Sequence, residues 1–198
     1  MSEFTPTRSV VLELKDERRA MQEGYVFLDE KCLLLAGEML RELERYAELQ
    51  GAFLTAWEAA VAALQRAVSR HGLDGLQVHP PADLGTAAVH RVARSLMGVA
   101  LQQAELAADA VPLPPGIDRS PEAEACRRAF RALIAHAAPL AAVAGNLTRL
   151  EQEYRRAVRR ARALQDVLLP ELDHTLYDIE TRLEELEQED AIWMRQGK

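Results

Sequence analysis

Apolar side chains recur along the first third of the chain in alternating steps of four and three. The line runs through Leu14, Met21, Tyr25, Leu28, Cys32, Leu35, Met39, Tyr46, Leu49, Phe53, Ala56, Ala60, Ala63 and Ala67, with Arg18 and Glu42 as its two charged members. This is a sustained heptad seam, the pattern of a helix packed along its length on another helix. Pro6 and Thr7 suit its start, since proline tolerates the first turn and threonine caps it. Gly72 and Gly75 suit its end. A helix of about 60 residues would run about 90 Å.

A second seam passes through Val143, Leu147, Leu150, Tyr154, Ala157, Ala161, Leu164 and Leu168. Its frame then changes. Leu168, Leu172 and Leu176 are each four apart, and the ordinary steps resume at Ile179, Leu183 and Leu186. Extra steps of four relax a left-handed supercoil, and Pro170, inside the shift, is expected to bend the helix or loosen its ladder. Between the seams, residues 72–120 hold most of the glycines and prolines. Residues 89–107 read as either a short helix or a strand pair around Met97-Gly98, and a small β-hairpin is the favoured reading. A further helix is expected from Ser120, with Pro121 first and Glu122 and Glu124 in its first turn, and a kink at Pro139.

The fold class that follows is mainly all-α. The N- and C-terminal helices form a long antiparallel two-helix coiled coil around a small central insertion. The segments are 1–70, 71–120 and 121–198, the last kinked near Pro139 and Pro170. A register in which facing residue numbers sum to about 200 pairs Leu14 with Leu186, Met21 with Ile179, Leu28 with Leu172 and Tyr46 with Tyr154. It also sets the arginines of 155–162 beside Glu38, Glu42 and Glu44, and the acidic run 184–190 beside Lys15, Arg18 and Arg19.

Composition narrows the function. The chain of 198 residues is 48% hydrophobic and 28% charged with only 5% aromatics, a mix that favours long helices. Its net charge of −7 argues against general polyanion binding. The start lacks the apolar core of a secretory signal, and the longest apolar runs read as too short for the roughly 20 residues that span a bilayer. Cys32 and Cys126 have neither metal-type nor disulfide-framework spacing, which fits a reduced cytoplasmic compartment.

Several groups invite a chemical reading. Arg155, Arg156, Arg159, Arg160 and Arg162 form a dense basic block. Nucleic acid is the weakest use for it, because acidic residues adjoin it and no base-stacking aromatics interleave. A solvated or internally paired helix face is the plain alternative. Glu171 and His174 have the Glu-x-x-His spacing of half a di-iron site, but no second copy exists. No phosphate-binding Gly-x-x-x-x-Gly-Lys-Ser/Thr loop is present, so no nucleotide site, cofactor or metal is expected on this chain. Gly24, inside the first helix, reads as a point of close helix approach.

Two stretches carry a family resemblance. PTRSVVLELK at 6–15 with EGYVFLDEKCLLL at 23–35, and NLTRLEQEYRRAVRRARALQDVLLPELDHTLYDIETRLEELEQED at 146–190, resemble the N- and C-terminal helices of the D subunit of the V-type (archaeal/vacuolar-type) ATPases. Tyr154, Arg159, Arg160, Ala163, Leu164, Pro170, Leu172, Thr175 and Ile179 match the family pattern. Ala161 and Arg162 depart from its Val-Asn, Gln165 from its Glu, Leu169 from its Ile, and Asp190 stands near a position usually basic. The resemblance covers roughly 5–50 and 146–193.

It implies a non-catalytic rotor shaft, cytoplasmic and peripheral to the membrane. The paired termini would enter a hexamer of A and B subunits, and the far end would meet the small F subunit and a funnel-shaped C/d subunit on the membrane ring. On that reading Arg8, the arginine block and Pro170 belong to the bearing. The rivals are a non-rotary coiled-coil adaptor, such as a type III export stalk, and a di-iron helical enzyme.

Overall fold

The computed structural model describes residues 6–79, 87–107 and 120–196. The end of the loop read at 71–85, and all of that read at 111–118, lie outside the described residues. In chain order the elements are α1 (Arg8–Leu76), β1 (Ala88–Leu96), β2 (Val99–Ala107), α2 (Pro121–Ala163), a π-helical turn (Leu164–Leu168) and α3 (Leu169–Gln196).

The helix ends follow local chemistry. Thr7 caps α1: its Oγ1 accepts from the Val10 N–H at 3.3 Å and its carbonyl from that of Val11. Near the other end Gly72 leaves helical geometry at φ 70, ψ 169, where a side chain would be strained. Ser120 caps α2, its Oγ accepting from the Ala123 N–H, and Glu122 and Glu124 sit in the first turn. Pro139 lies inside α2, which continues to Ala163.

The hairpin stands where the sequence places it. Leu96 pairs with Val99 around a two-residue turn, Met97 at φ 49 and Gly98 at φ 85. Two positive φ values in succession are what joins strands without splaying their twist. The strand faces are unequal: β1 is exposed along nearly its whole length, whereas Val99 and Leu101 of β2 are buried.

Packing divides the chain into two compact units, residues up to 34 with those from 154 onward, and residues 35–153. Both α1 and α2 contribute to both units, so the units do not coincide with the three sequence segments. In the first unit, Val11 and Leu14 of α1 cluster with Leu172, Leu176 and Ile179 of α3, flanked by Val10, Met21 and Leu183. Each large apolar side chain buried here stabilises by about 1.5–3 kcal/mol. The exposed pairs Arg8–Glu187, Lys15–Glu180 and Arg18–Asp173 trim this cluster and contribute at most about 1 kcal/mol each. The helices are therefore antiparallel, as expected, with basic groups of α1 against acids of α3.

The register differs from expectation. The facing pairs sum to about 195 at Lys15–Glu180 and 191 at Arg18–Asp173. Leu172 thus belongs to the cluster that holds Leu14 and Met21, and Leu28 is not in that cluster. The shift is about one heptad, and a heptad seam presents the same apolar line after a slide of seven residues, so the pattern alone does not select between such registers.

The frame change at Leu168 is a π-helical turn. The Leu169 N–H bonds to the Leu164 carbonyl, five residues back. Pro170 follows at once. Proline has no N–H to give and its ring crowds the carbonyl four residues earlier; widening the turn relieves that clash. The extra residue also carries Leu168, expected in the seam, out to solvent while Leu172 and Leu176 turn inward. Leu186 is likewise exposed, beyond the buried cluster.

Gly24 corrects a second expectation. A methyl group placed there would meet Leu164 Cδ1 at 3.9 Å, an ordinary contact. Close approach therefore does not require glycine at this position. Gly24→Ala is expected to stabilise the chain by about 0.5–1 kcal/mol, since glycine loses more backbone freedom in a helix than alanine. A raised thermal midpoint checks it; a lowered one would mean the helices approach more closely than this.

Candidate functional site

Two places merit description, one in each unit. The first is the face the sequence singled out. Ala157 and Ala161 are buried, and around them Arg155, Arg156, Arg159, Arg160 and Arg162 are all exposed. Alanine at the seam brings the backbone in and leaves the remaining positions of these turns to arginine. Arg8 is exposed and forks onto Glu187, its Nε at 3.1 Å and Nη2 at 2.7 Å from Oε1. Pro170 is exposed just beyond the π-helical turn.

The seam residues are graded. Leu14, Leu35, Leu150, Leu172, Leu176 and Ile179 are buried. Met21, Tyr25, Leu28, Met39, Tyr46, Leu147, Tyr154, Leu164 and Leu183 are half-buried.

The second place is a buried polar knot in residues 35–153, which sequence reasoning did not assemble. Glu42 lies on the inner seam of α1, 1% exposed, with Glu38 one turn earlier almost as deep. Isolated carboxylates are costly in such a place. The sequence assigned both to the arginine block; the structure gives them other partners. Arg94 of β1 donates from Nη2 to Glu38 and lies 3.6 Å from Glu42. Arg41 forks onto Glu38 Oε2, and Arg45 reaches Glu42 Oε1 at 3.2 Å. Arg94 shares a face of the hairpin with its cross-strand neighbour Leu101, which is fully buried, so anchoring Leu101 also aims Arg94 inward.

Asn146 of α2 completes the knot. Its Oδ1 accepts from the Gln102 backbone N–H at 2.8 Å, and its Nδ2 donates to the Gln102 carbonyl at 2.8 Å and to Glu42 Oε2 at 3.0 Å. The amide thus acts as a one-residue third strand on the free edge of β2. Arg149 reinforces it, donating to the Ala100 carbonyl and to Asn146 Oδ1. Every partner fixes the amide orientation, because donors meet Oδ1 and acceptors meet Nδ2. Only Glu42, as a charge on an apolar line, marked this knot in the sequence; Arg94 and Asn146 carry no local signature.

Electrostatics follow from the geometry. Burial pushes the Glu38 carboxyl up, but the hydrogen bonds from Arg41 and Arg94 outweigh it, and the group titrates below its ordinary value. Burial, then Asp29, raise the Cys32 thiol, and burial raises Cys126; both are free cysteines without the lowered pKa of an activated nucleophile. His174 sits 3.0 Å from Asp178 on an exposed face. Among the described residues no group of three or more His, Cys, Asp or Glu is placed to hold a metal ion.

One sequence reading is corrected here. The helical stretch Pro121–Arg195 contains an 18-residue window with mean hydropathy of 1.2, apolar enough by length and composition to cross a membrane. The reason is alanine: residues 132–148 contain no Asp, Glu, Lys or Arg. Leu133, Val143 and Asn146 of that stretch are buried in packing.

These features define a class, a protein of antiparallel helix pairs with a β-hairpin locked to them, its arginines turned outward. Comparison with known proteins narrows it. The family model for the ATP synthase D subunit matches residues 10–196, and the chain belongs to that family. It is 26% identical to the D subunit of a V-type ATP synthase from Thermotoga neapolitana, over 98% of this chain and 96% of the relative. It is 29% identical to the V-type D subunit from Thermus thermophilus, over 100% and 89%. It is 25% identical to the A-type D subunit from Methanopyrus kandleri, over 100% and 87%.

Two outcomes test the knot. Asn146→Ala strands the Gln102 N–H and carbonyl and weakens the shield over Glu42; a loss of about 2–4 kcal/mol in denaturant unfolding is expected. Glu38 gives the pH dependence. Its lowered folded pKa contributes stability that is fully present above the ordinary carboxylate value of about 4.3 and is lost as pH falls through the folded value. The stability gap between wild type and Glu38→Gln should therefore be widest near neutrality and close below about pH 4.

Proposed function

We propose that the chain is the non-catalytic central-stalk subunit of a V/A-type ATP synthase, carrying torque between a hexamer of A and B subunits and a membrane ion-translocating ring. The small F subunit and the funnel-shaped C/d subunit are its other partners, and the chain is peripheral to the membrane on the cytoplasmic side. The single observation that carries this reading is the family match across nearly the whole chain.

Physical arguments support it. No phosphate-binding loop occurs in the sequence, so nucleotide chemistry falls to other chains. The bearing residues are Arg8, Arg155, Arg156, Arg159, Arg160, Arg162 and Pro170. Exposed arginines on successive turns offer many weak contacts to surrounding acidic loops, each screened by salt and worth little alone. A turning part needs that property, since one deep contact would hold it at one angle.

The test is reconstitution with A- and B-type subunits and the membrane ring. The wild-type chain is expected to co-purify with them. The variant Arg155→Gln/Arg156→Gln/Arg159→Gln/Arg160→Gln is expected to assemble but to lower ions moved per ATP hydrolysed several-fold. Failure of the wild type to assemble overturns the stalk reading, and an unchanged ratio removes the arginine block from the bearing.

A further inference from the structure

Leu35, Glu42 and Leu49 share one heptad position on α1. Apolar packing alone would let α1 slide past α2 by seven residues and keep its line of contacts. Packed helices do move past one another in such discrete steps. Within residues 35–153 the register is nevertheless written in polar contacts. Asn146 Nδ2 donates to Glu42 Oε2 at 3.0 Å. Farther along α1, Arg70 Nη1 donates to Glu122 Oε1 at 2.6 Å, and His71 Nε2 lies 2.6 Å from Ser120 Oγ. The facing residue numbers sum to between 188 and 192, so the three contacts mark one antiparallel register.

The neighbouring registers fail in both directions. One heptad one way sets Glu42 against Pro139, which has neither an N–H nor a polar side chain, and Asn146 against Leu35. One heptad the other way sets Glu42 against Glu153, a like charge, and Asn146 against Leu49. That second slide also sets Arg70 against Ala129 and His71 against Arg127. A buried carboxylate or amide without a partner is costly, and both Glu42 and Asn146 are 1% exposed. Arg45 rides on α1 with Glu42 and pairs with it in any register, so it carries no register information. Asn146 does. Its amide cannot follow a sliding Glu42, because the Gln102 N–H and carbonyl and Arg149 hold it in place.

We propose that Asn146 and Glu42 are a register lock, a matched polar pair that excludes the two neighbouring heptad registers of α1 on α2. The Arg70–Glu122 and His71–Ser120 contacts are its second point. A single buried polar pair serves this purpose in other coiled coils, fixing which positions face each other. The inference goes beyond the stalk reading and does not need it. Within that reading, a fixed register keeps an applied twist from relaxing into a slide of one helix along the other.

The test uses the full chain with Cys32→Ala and Cys126→Ala. Spin labels are placed on cysteines at two exposed positions, Leu54→Cys on α1 and Thr148→Cys on α2, and their separation is measured by pulsed electron resonance. The two sites are offset along the helix axis. A slide of seven residues, about 10 Å, therefore changes their separation measurably, and the sign of the change gives its direction. The otherwise native chain should show one narrow distance. Glu42→Leu/Asn146→Leu should show a second, displaced population with unchanged helix content by circular dichroism. Asn146→Leu alone leaves Arg45 on Glu42 and should show the same second population, so the test stands even where the double variant does not fold. Glu42→Gln keeps a hydrogen-bonding partner for the amide and should retain the single distance. One unshifted distance in both leucine variants overturns the proposal, and so does a second population in Glu42→Gln as large as theirs. None of these readouts depends on assembly with A and B subunits, so the stalk reading and the register lock fail separately.

Discussion

A carboxylate does not stay in a helix seam without partners, and Glu42 is in the seam. Taking an unpaired charge out of water costs several kcal/mol, more than the burial of any single leucine beside it returns. The structure meets that cost with groups from three elements: Arg45 on its own helix, Arg94 from the hairpin and Asn146 from α2. The hairpin's position follows from this. β1 is exposed along nearly its whole length and would have little apolar reason to lie where it does. Its partner strand supplies Leu101 to the core, and Arg94 supplies charge to the acids. Apolar and ionic anchoring thus point the same way on one hairpin face.

Asn146 shows why a neutral amide serves at the centre. It needs to donate to a carboxylate and to a carbonyl while accepting from a backbone N–H and a guanidinium. Aspartate lacks the donors and leucine lacks everything; glutamine carries the same groups on a longer, freer stem. The amide satisfies the edge of β2 without a third strand, so a two-stranded sheet, marginal alone, is held against helices. A polar network in which every member is paired also fixes register more sharply than apolar packing does, because a slide of one heptad would leave its groups unpaired.

That contrast explains what was legible in the sequence. Helix positions, the Thr7 and Ser120 caps, the break at Gly72 and the hairpin turn at Met97-Gly98 are local, and local spacing encodes them. The frame change at Leu168 was also visible, although its form as a π-helical turn ahead of Pro170 depends on backbone geometry the spacing does not specify. The antiparallel register was not legible, because the seam repeats every seven residues and complementary charges recur nearly as often. The buried knot was not legible either. Arg94 and Asn146 lie 52 and 104 residues from Glu42 and become its partners only through tertiary packing. Glu42 itself was the clue, a charge on an apolar line.

The partners that Glu38 and Glu42 find on the hairpin and on their own helix change the physical meaning of the arginine block. Had its guanidinium groups been needed to neutralise buried carboxylates, their removal would destabilise the fold, and no bearing role could be separated from that loss. The buried acids are served by Arg94, Arg41, Arg45 and Asn146, and exposed surface charges usually contribute under about 1 kcal/mol each. The seam beneath them is alanine, which holds the helix close and leaves charge at its outer positions. A stalk that turns within a ring requires this division: strong, specific contacts kept inside the turning part, and weak, repeated ones presented to its surroundings.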